Sequence, residues 1–157
     1  MKLRIFPILN EDGTEMYPTW QMPRRAHAND VGADVFSTIN VTINPHETVK
    51  IPLGFGIDVP AGYGASIYPR TGKSAAGIVT LLPPIDPGYT GNINAITQNT
   101  SDKPIEIKVG DAVGQLVVYP VAICDFVRDL GAERGTDAFG STERNLAAKA
   151  AAEKCKE

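Results

Sequence analysis

One aspartate in the middle of the chain stands in a turn that would hold it rigidly. Asp86 precedes Pro87 and Gly88 and lies three residues before Tyr89. Proline fixes its own φ and glycine accepts positive φ, so this pair favours a tight turn. A carboxylate held in this way is suited to act as a general base. On turn statistics alone, the simpler interpretation is favoured, in which Asp86 only hydrogen-bonds the backbone of its own turn.

A second segment has the composition of an anion-binding loop. The segment is Pro69-Arg70-Thr71-Gly72-Lys73-Ser74. It contains two cationic side chains, two side-chain hydroxyls, and a glycine whose backbone amide can approach an anion closely. This composition suits a polyphosphate, although a basic exposed loop explains the segment equally well. It is not a P-loop, because the first glycine of that motif would fall at Ile67.

Other residue types with catalytic or metal-binding potential are scattered. His27 and His46 are isolated from each other and from any Cys or acidic cluster with metal-ligand spacing, so neither indicates a zinc site. No serine lies in a glycine-flanked nucleophile elbow, which leaves water as the attacking group if the chain is a hydrolase. Phe139 stands alone in a polar segment, where it either docks on the protein body or stacks on a ligand base.

Size and composition are those of one ordinary globular domain. The chain has 157 residues, of which 43% are hydrophobic and 21% charged, so it can form a core without disulfide bonds. A formal charge of −3 argues against non-specific binding of nucleic acid. No apolar segment has the length of a membrane span and no signal peptide is recognised, so we expect a cytoplasmic protein that binds no membrane. We expect Cys124 and Cys155 to be free thiols.

Turn residues recur every eight to twelve positions through most of the chain, which predicts an all-β sandwich or jelly roll. The predicted strands are Leu3 to Leu9, Ala33 to Phe36, Val41 to Ile43, Thr48 to Pro52, Gly56 to Val59, Gly64 to Tyr68, Ile78 to Leu82, Gly91 to Gln98, Ile105 to Val109 and Gly114 to Val127. We predict one domain over residues 1–130, a flexible arm over 131–142, and a short helical or disordered tail over 143–157.

Five segments, taken in order, resemble the motifs of the homotrimeric dUTP pyrophosphatase (dUTPase) family. They span about residues 28–142, most of the chain. The segments are Val31-Gly32-Ala33-Asp34-Val35, Pro69-Arg70-Thr71-Gly72, Ile85-Asp86-Pro87-Gly88-Tyr89-Thr90-Gly91, Gly110-Asp111-Ala112-Val113-Gly114-Gln115-Leu116, and Arg134-Gly135-Thr136-Asp137-Ala138-Phe139-Gly140-Ser141-Thr142.

The resemblance implies a distorted jelly roll of the β-clip type that assembles as a homotrimer, with active sites at the subunit interfaces. The implied reaction is Mg²⁺-dependent hydrolysis of dUTP to dUMP and pyrophosphate. Asp86 would activate the attacking water, and Tyr89 would pack under the deoxyribose and exclude a 2′-hydroxyl. Asp34 would hold Mg²⁺ through water while the phosphates bind the ion directly.

The resemblance also assigns substrate-binding residues. Ile85 and Thr80 would belong to the segment that approaches the base. The contacts to the phosphates would come from Arg70, Thr71, Gly72 and Gln115, with Arg134 reaching the terminal phosphate from the arm. Phe139 would stack on uracil, followed by Gly140 and Ser141 along the triphosphate.

The chain departs from the family pattern in three places. Thr71 replaces a usual serine and Lys73 a usual apolar residue. Asp137-Ala138 replaces glycines of the arm. The approach to Asp86 is shorter than usual, with Thr80 in the place of an asparagine and Pro83 in the place of a glycine. Because proline has no backbone N–H, Pro83 removes a hydrogen-bond donor from the segment that would contact the base.

Two other functions remain as alternatives. A dCTP deaminase shares the fold and the Asp86 turn, but it needs a glutamate on the following strand, where residues 94–98 contain none. A nucleotide-responsive regulatory binding protein could keep the fold and pocket while acting through a partner.

Overall fold

A computed structural model of the chain describes residues 2–128. Within them the chain is almost entirely β, as the turn pattern predicts. The elements are β1 (Arg4–Pro7), β2 (Ala33–Phe36), β3 (Val41–Ile43), β4 (Thr48–Pro52), β5 (Phe55–Asp58), β6 (Tyr63–Tyr68), α1 (Thr71–Ala75), β7 (Ile78–Ile85), β8 (Asn94–Asn99), β9 (Ile105–Ile107) and β10 (Ala112–Pro120). No helix among these residues is long and apolar enough to cross a membrane.

The chain divides into two compact units, and all of these elements lie in the first, Met1–Ile123. Of the second unit only residues 124–128 are described, and they form no regular element. Cys124 in this stretch is an exposed free thiol, as expected. The predicted arm and tail lie outside the described residues.

Antiparallel pairing organises the strands into one large sheet and two small ones. The large sheet has six strands in the order β2-β10-β6-β7-β8-β4, and the two-stranded sheets are β1-β5 and β3-β9. Within this sheet, β10 pairs with both β2 and β6, so Gln115 stands opposite Asp34 on one side and Tyr68 on the other. Residues far apart in sequence therefore become neighbours at this point.

Several element boundaries differ from those predicted. The first strand is shorter than predicted, β8 begins at Asn94, β10 ends at Pro120, and α1 was not predicted at all. Strand β7 continues through Pro83 and Pro84 to Ile85. It pairs with β6 through Leu82 and then Ile85, with a register shift between the two pairs, so the prolines lie at a β-bulge. Bulges tolerate proline because no ladder hydrogen bond is required there.

The core is built mainly from apolar strand residues, together with a few that lie between strands. Phe55, Leu53 and Ile67 are among the side chains with no solvent exposure. On β7, Thr80 is buried whereas Val79 and Leu81 are exposed, as the two-residue period of a strand requires. The Thr80 and Thr97 hydroxyl oxygens lie 3.0 Å apart in a buried hydrogen bond between β7 and β8. Thr80 is therefore part of the packed interior.

We predict that replacing Thr80 with valine lowers the free energy of unfolding by about 1–3 kcal/mol, because the Thr97 hydroxyl is left buried without its partner. The double variant Thr80→Val/Thr97→Val should recover much of this loss, since both polar groups are removed. Chemical denaturation of the single and double variants measures both effects. The exposed Thr42 on β3 provides the control, and Thr42→Val should change stability by less than about 0.5 kcal/mol. Strictly additive losses at positions 80 and 97 would contradict the interpretation.

Candidate active site

A cavity of about 460 Å³ lies where β6 ends and α1 begins; we call it the basic cavity. Its lining consists of Arg70, Thr71, Gly72, Lys73 and Gln115. The first four follow β6 directly, and the pairing of β10 with β6 adds Gln115. The structure thus brings together Arg70, Thr71, Gly72 and Gln115, four of the residues that the resemblance assigned to the phosphates.

Asp34 holds two of these residues in place. Its Oδ2 lies 3.1 Å from the Arg70 guanidinium, and its Oδ1 accepts a hydrogen bond of 3.2 Å from Gln115 Nε2. The Arg70 and Asp34 side chains are 34% and 22% exposed, so the pair is partly shielded from water. Arg70 also donates to the backbone carbonyl of Ala112 at 3.5 Å. The carboxylate therefore orients an arginine and a glutamine toward the same cavity.

Two glycines, Gly32 and Gly114, allow close packing around Gln115 and strand β10. A Cβ atom at Gly32 would lie 2.9 Å from Cβ of Gln115, and a Cβ atom at Gly114 would lie 2.6 Å from Cγ2 of Ile67. The Ile67 side chain is buried and is branched at Cβ, so its Cγ2 methyl group has little freedom to move aside. Any side chain at either glycine would push β10 or Gln115 out of position.

The turn at Asp86 has the geometry that its sequence predicts. Tyr89 N donates to the Asp86 backbone carbonyl at 3.2 Å, and Gly88 has φ of 85°, as a type II turn requires. The turn is closed by the Asp86 backbone, while the residue remains exposed to solvent. The backbone of Asp86 is therefore held by the turn, and the residue is accessible to solvent.

Tyr89 is fixed beside this carboxylate. Its hydroxyl donates to the Asn92 carbonyl at 3.3 Å, and a Cβ atom at Gly91 would lie 2.5 Å from the hydroxyl oxygen. A side chain at position 91 would force the Tyr89 ring to shift from this position. The side chain is still 48% exposed and can cover a ligand.

A second cavity of about 310 Å³ adjoins the Asp86 turn; we call it the apolar cavity. Most of its wall is aliphatic. It is lined by Leu82, Pro83, Pro84, Ile85, Asp86, Tyr89, Asn92, Ile93, Asn94 and Ile96. A mostly apolar lining with a few polar groups is typical of a pocket for an organic group with polar edges.

Asn92 and Asn94 line this cavity and were missed by the sequence analysis. The Asn92 side-chain oxygen accepts a bond of 3.0 Å from Gly54 N, and Asn94 Nδ2 donates to the Asn92 carbonyl at 3.0 Å. Asn92 precedes β8 and Asn94 is its first residue, so strand alternation gave no signal that both line the cavity.

Thr80 does not reach the apolar cavity. It is only 1% exposed and its hydroxyl is bonded to Thr97. The expectation that Thr80 takes the place of a base-contacting asparagine is therefore not met in this structure, because the strand alternation turns residue 80 to the interior. Leu82, two residues further on, lies at the cavity wall.

The two cavities have no lining residue in common. Ile85, just before Asp86, pairs with Ala65 near the start of β6, whereas Arg70 follows the end of β6 at Tyr68. At about 3.3 Å per residue, the Asp86 turn and Arg70 are roughly 15 Å or more apart along the strand. The structure thus brings Asp34, Arg70 and Gln115 together, and Asp86 and Tyr89 together, but leaves the two groups apart within one chain.

Four of the predicted site residues cannot be placed. Arg134, Phe139, Gly140 and Ser141 lie outside the described residues, and their roles stay predictions. Among residues 2–128, no three His, Cys, Asp or Glu side chains form a group that could hold a metal ion.

Comparison with known proteins identifies the family of the chain. The dUTPase family model matches residues 18–143. A deoxyuridine 5'-triphosphate nucleotidohydrolase of Leifsonia xyli subsp. xyli is 39% identical over 129 residues, covering 78% of this chain and 85% of the relative. The enzyme of the same name from Gloeobacter violaceus is 37% identical, covering 77% of this chain and 88% of the relative.

Solved structures share the fold. A mutant Staphylococcus bacteriophage 80alpha dUTPase, solved with dUpNHpp, has a TM-score of 0.76 and 25% identity, covering 90% of this chain and 98% of the phage chain. The predicted jelly-roll fold is thereby confirmed. With a family model over most of its length and relatives above one third identity, the chain belongs to the dUTPase family.

Proposed function

We propose that this protein hydrolyses dUTP to dUMP and pyrophosphate through attack of water on the α-phosphorus. The observation that carries the proposal is the exposed Asp86 carboxylate, held by a rigid turn at the edge of the apolar cavity. The family membership gives the substrate class, since the relatives are deoxyuridine triphosphate nucleotidohydrolases.

The apolar cavity is the proposed nucleoside site. Its aliphatic walls suit the faces of a base, and the Tyr89 side chain at its edge suits the apolar face of a deoxyribose. A 2′-hydroxyl would have to fit against this side chain, which Gly91 and the Asn92 carbonyl hold in position. A ribonucleotide would therefore bind less well than a deoxyribonucleotide.

Base recognition in this cavity depends on few polar groups. Pro83 and Pro84 form part of the wall and offer no backbone N–H. The Asn94 amide supplies both a donor and an acceptor, which match the N3–H and a carbonyl of uracil. A 5-methyl group on the base would have to fit against the proline wall. We therefore infer that the cavity prefers uracil to thymine chiefly by shape.

The basic cavity is the proposed site for the phosphates. Arg70 presents a planar guanidinium to phosphate oxygens, while Thr71, Gly72 and Gln115 offer uncharged donors. The cavity contains no aliphatic wall comparable with that of the apolar cavity, so it suits the charged end of a nucleotide.

Mg²⁺ fits this site as an ion brought largely by the substrate. The described residues provide no three-ligand group, but Asp34 is partly exposed beside the basic cavity. Each carboxylate oxygen has two lone pairs, so the bonds to Arg70 and Gln115 leave capacity for a water molecule bound to the ion. When bound, Mg²⁺ would neutralise charge that develops on the phosphate chain.

Asp86 acts as the base in the proposed reaction. Its carboxylate accepts a proton from a water molecule as the water oxygen bonds to the α-phosphorus. The bond between that phosphorus and the oxygen bridging to the β-phosphate breaks, and the electron pair leaves with pyrophosphate. The proton then passes from Asp86 to solvent. The turn fixes the backbone of Asp86, which narrows the positions that its carboxylate can take and so contributes through orientation.

A complete site requires more than one copy of the chain in this proposal. Asp86 lies near the start of β6 and Arg70 beyond its end, yet both must act on one short phosphate chain. A homotrimer with sites at its interfaces would join the apolar cavity of one copy to the basic cavity of another. Tyr68 and Leu81, on neighbouring strands β6 and β7, are 45% and 52% exposed in the single chain, and such apolar surface suits an interface.

We expect a substrate panel to show a clear preference for dUTP. With Mg²⁺ present, kcat/KM for dUTP should exceed that for dTTP, dCTP and UTP by about 100-fold. Steric exclusion of one methyl or hydroxyl group can supply this factor for dTTP and UTP, and mismatched hydrogen bonds at the base edge can supply it for dCTP. Release of pyrophosphate from each nucleotide measures the preference. Equal rates with dTTP or dCTP would contradict the proposal, and release of ammonia from dCTP would indicate a deaminase instead.

Replacing Asp86 with asparagine should lower kcat by about 10²- to 10⁴-fold, because the water loses its proton acceptor while the turn backbone is retained. Steady-state kinetics with dUTP measures this effect. Asp102→Asn is the matched control, since Asp102 is 96% exposed and is paired with His46 away from both cavities. A variant at position 86 that keeps wild-type turnover would exclude Asp86 as the base.

Mixing two inactive variants should restore activity if sites are shared between copies. Asp86→Asn removes the base, and Arg70→Gln removes a phosphate contact. Co-refolding equal amounts should give wild-type residues at about one quarter of the sites, as random association in a cyclic trimer requires. Each variant refolded alone serves as the control. If the mixture showed only the mean of the two residual activities, both residues would have to act within one chain.

A further inference from the structure

Lys73 is the residue of the basic cavity that the family resemblance leaves unexplained. It stands in the cavity lining beside Arg70 and Gln115, and it is half-buried. Lys73 is also one of the residues at which the sequence departs from the motif that it resembles. A role for Lys73 rests on the proposed function in one respect, namely that the basic cavity binds phosphate groups.

The charges of the cavity nearly cancel without this lysine. Arg70 is the other cation of the lining, and Asp34 pairs with it at 3.1 Å. Thr71, Gly72 and Gln115 have no charge. Within residues 2–128, the ion pairs of the structure do not include Lys73. The net positive charge of the basic cavity therefore comes from Lys73.

The backbone around Lys73 is held in place. Ser74 N donates to the Arg70 carbonyl at 2.9 Å, and Ala76 N donates to the Lys73 carbonyl at 3.0 Å. The side chain starts from this fixed turn, and the residue as a whole is partly buried. Lysine side chains of this kind commonly bury the stem and keep the ammonium group in water. An ammonium group is a compact charge with three donors and no directional fork, so it can contact oxygens of two neighbouring phosphates.

The geometry points to Lys73 as an additional phosphate-binding residue of this chain. It supplies the net charge that attracts a polyphosphate into the basic cavity, while Arg70 and Gln115, held by Asp34, give the contacts their direction. Its contribution falls on binding affinity and is reduced by salt, because a partly exposed charge is screened. The ligand class is a di- or triphosphate, either inorganic or carried by a nucleotide.

Calorimetric binding of inorganic tripolyphosphate to the full-length protein, at low and high ionic strength, tests this assignment. Lys73→Met should weaken binding about tenfold at low salt, the size of one partly screened charge pair, and should flatten the dependence on salt. Lys73→Arg, which keeps the charge, should stay within about threefold of the wild type. Lys50→Met is the matched control, because Lys50 is exposed on β4 and outside both cavities.

Kinetics with dUTP provides a second measurement. Lys73→Met should raise KM by a similar factor and leave kcat within about threefold, since uniform binding is lost. Tripolyphosphate binding that is undetectable in the wild type, or equal in the wild type and Lys73→Met, would overturn the assignment. If the protein bound tripolyphosphate through Lys73 but failed to hydrolyse dUTP, the proposed function would fail and the role of Lys73 would stand. Thermal unfolding of each variant identifies a loss of folding.

Discussion

The contacts of Asp34 with Arg70 and Gln115 are the interaction on which the basic cavity depends. They join strand β2, strand β10 and the segment after β6, three parts of the chain far apart in sequence. The antiparallel pairing of β10 with both neighbours places Gln115 opposite Asp34. An arginine left without this carboxylate would be free to take many rotamers, and a partly buried pair of this kind limits them. Asp34 therefore has a structural task before any ion or substrate binds.

At Asp86, a backbone turn takes the place of a side-chain network. There the position of a carboxylate depends on local backbone geometry, with Pro87, Gly88 and one backbone hydrogen bond. Such a turn needs few tertiary partners, and it leaves the carboxylate in solvent. The Tyr89 side chain adds a wall that Gly91 permits. The two halves of the proposed site thus differ: the basic cavity depends on side-chain contacts between strands, whereas the Asp86 turn depends on local backbone geometry.

The separation of these two halves along β6 is the reason for proposing an assembly with shared sites. In the proposed trimer, a site built from two copies would be complete only on assembly, so activity and association would be linked. The bulge at Pro83 and Pro84 belongs to this organisation as well. It lets β7 pass from its pairing with β8 to the Asp86 turn, and it also removes two backbone donors from the wall of the apolar cavity.

From the sequence alone, the all-β class, most strand positions and the Asp86 turn could be predicted, because strand alternation and Pro-Gly turns act over a few residues. The motifs likewise indicated Asp34, Arg70 and Gln115, but not that they contact one another. Only the tertiary structure decided that Thr80 faces the interior, that Asn92 and Asn94 line the apolar cavity, and that the two cavities are apart. These features depend on strand register and on the bulge in β7, which arise from pairing between distant segments and have no local signal in the chain.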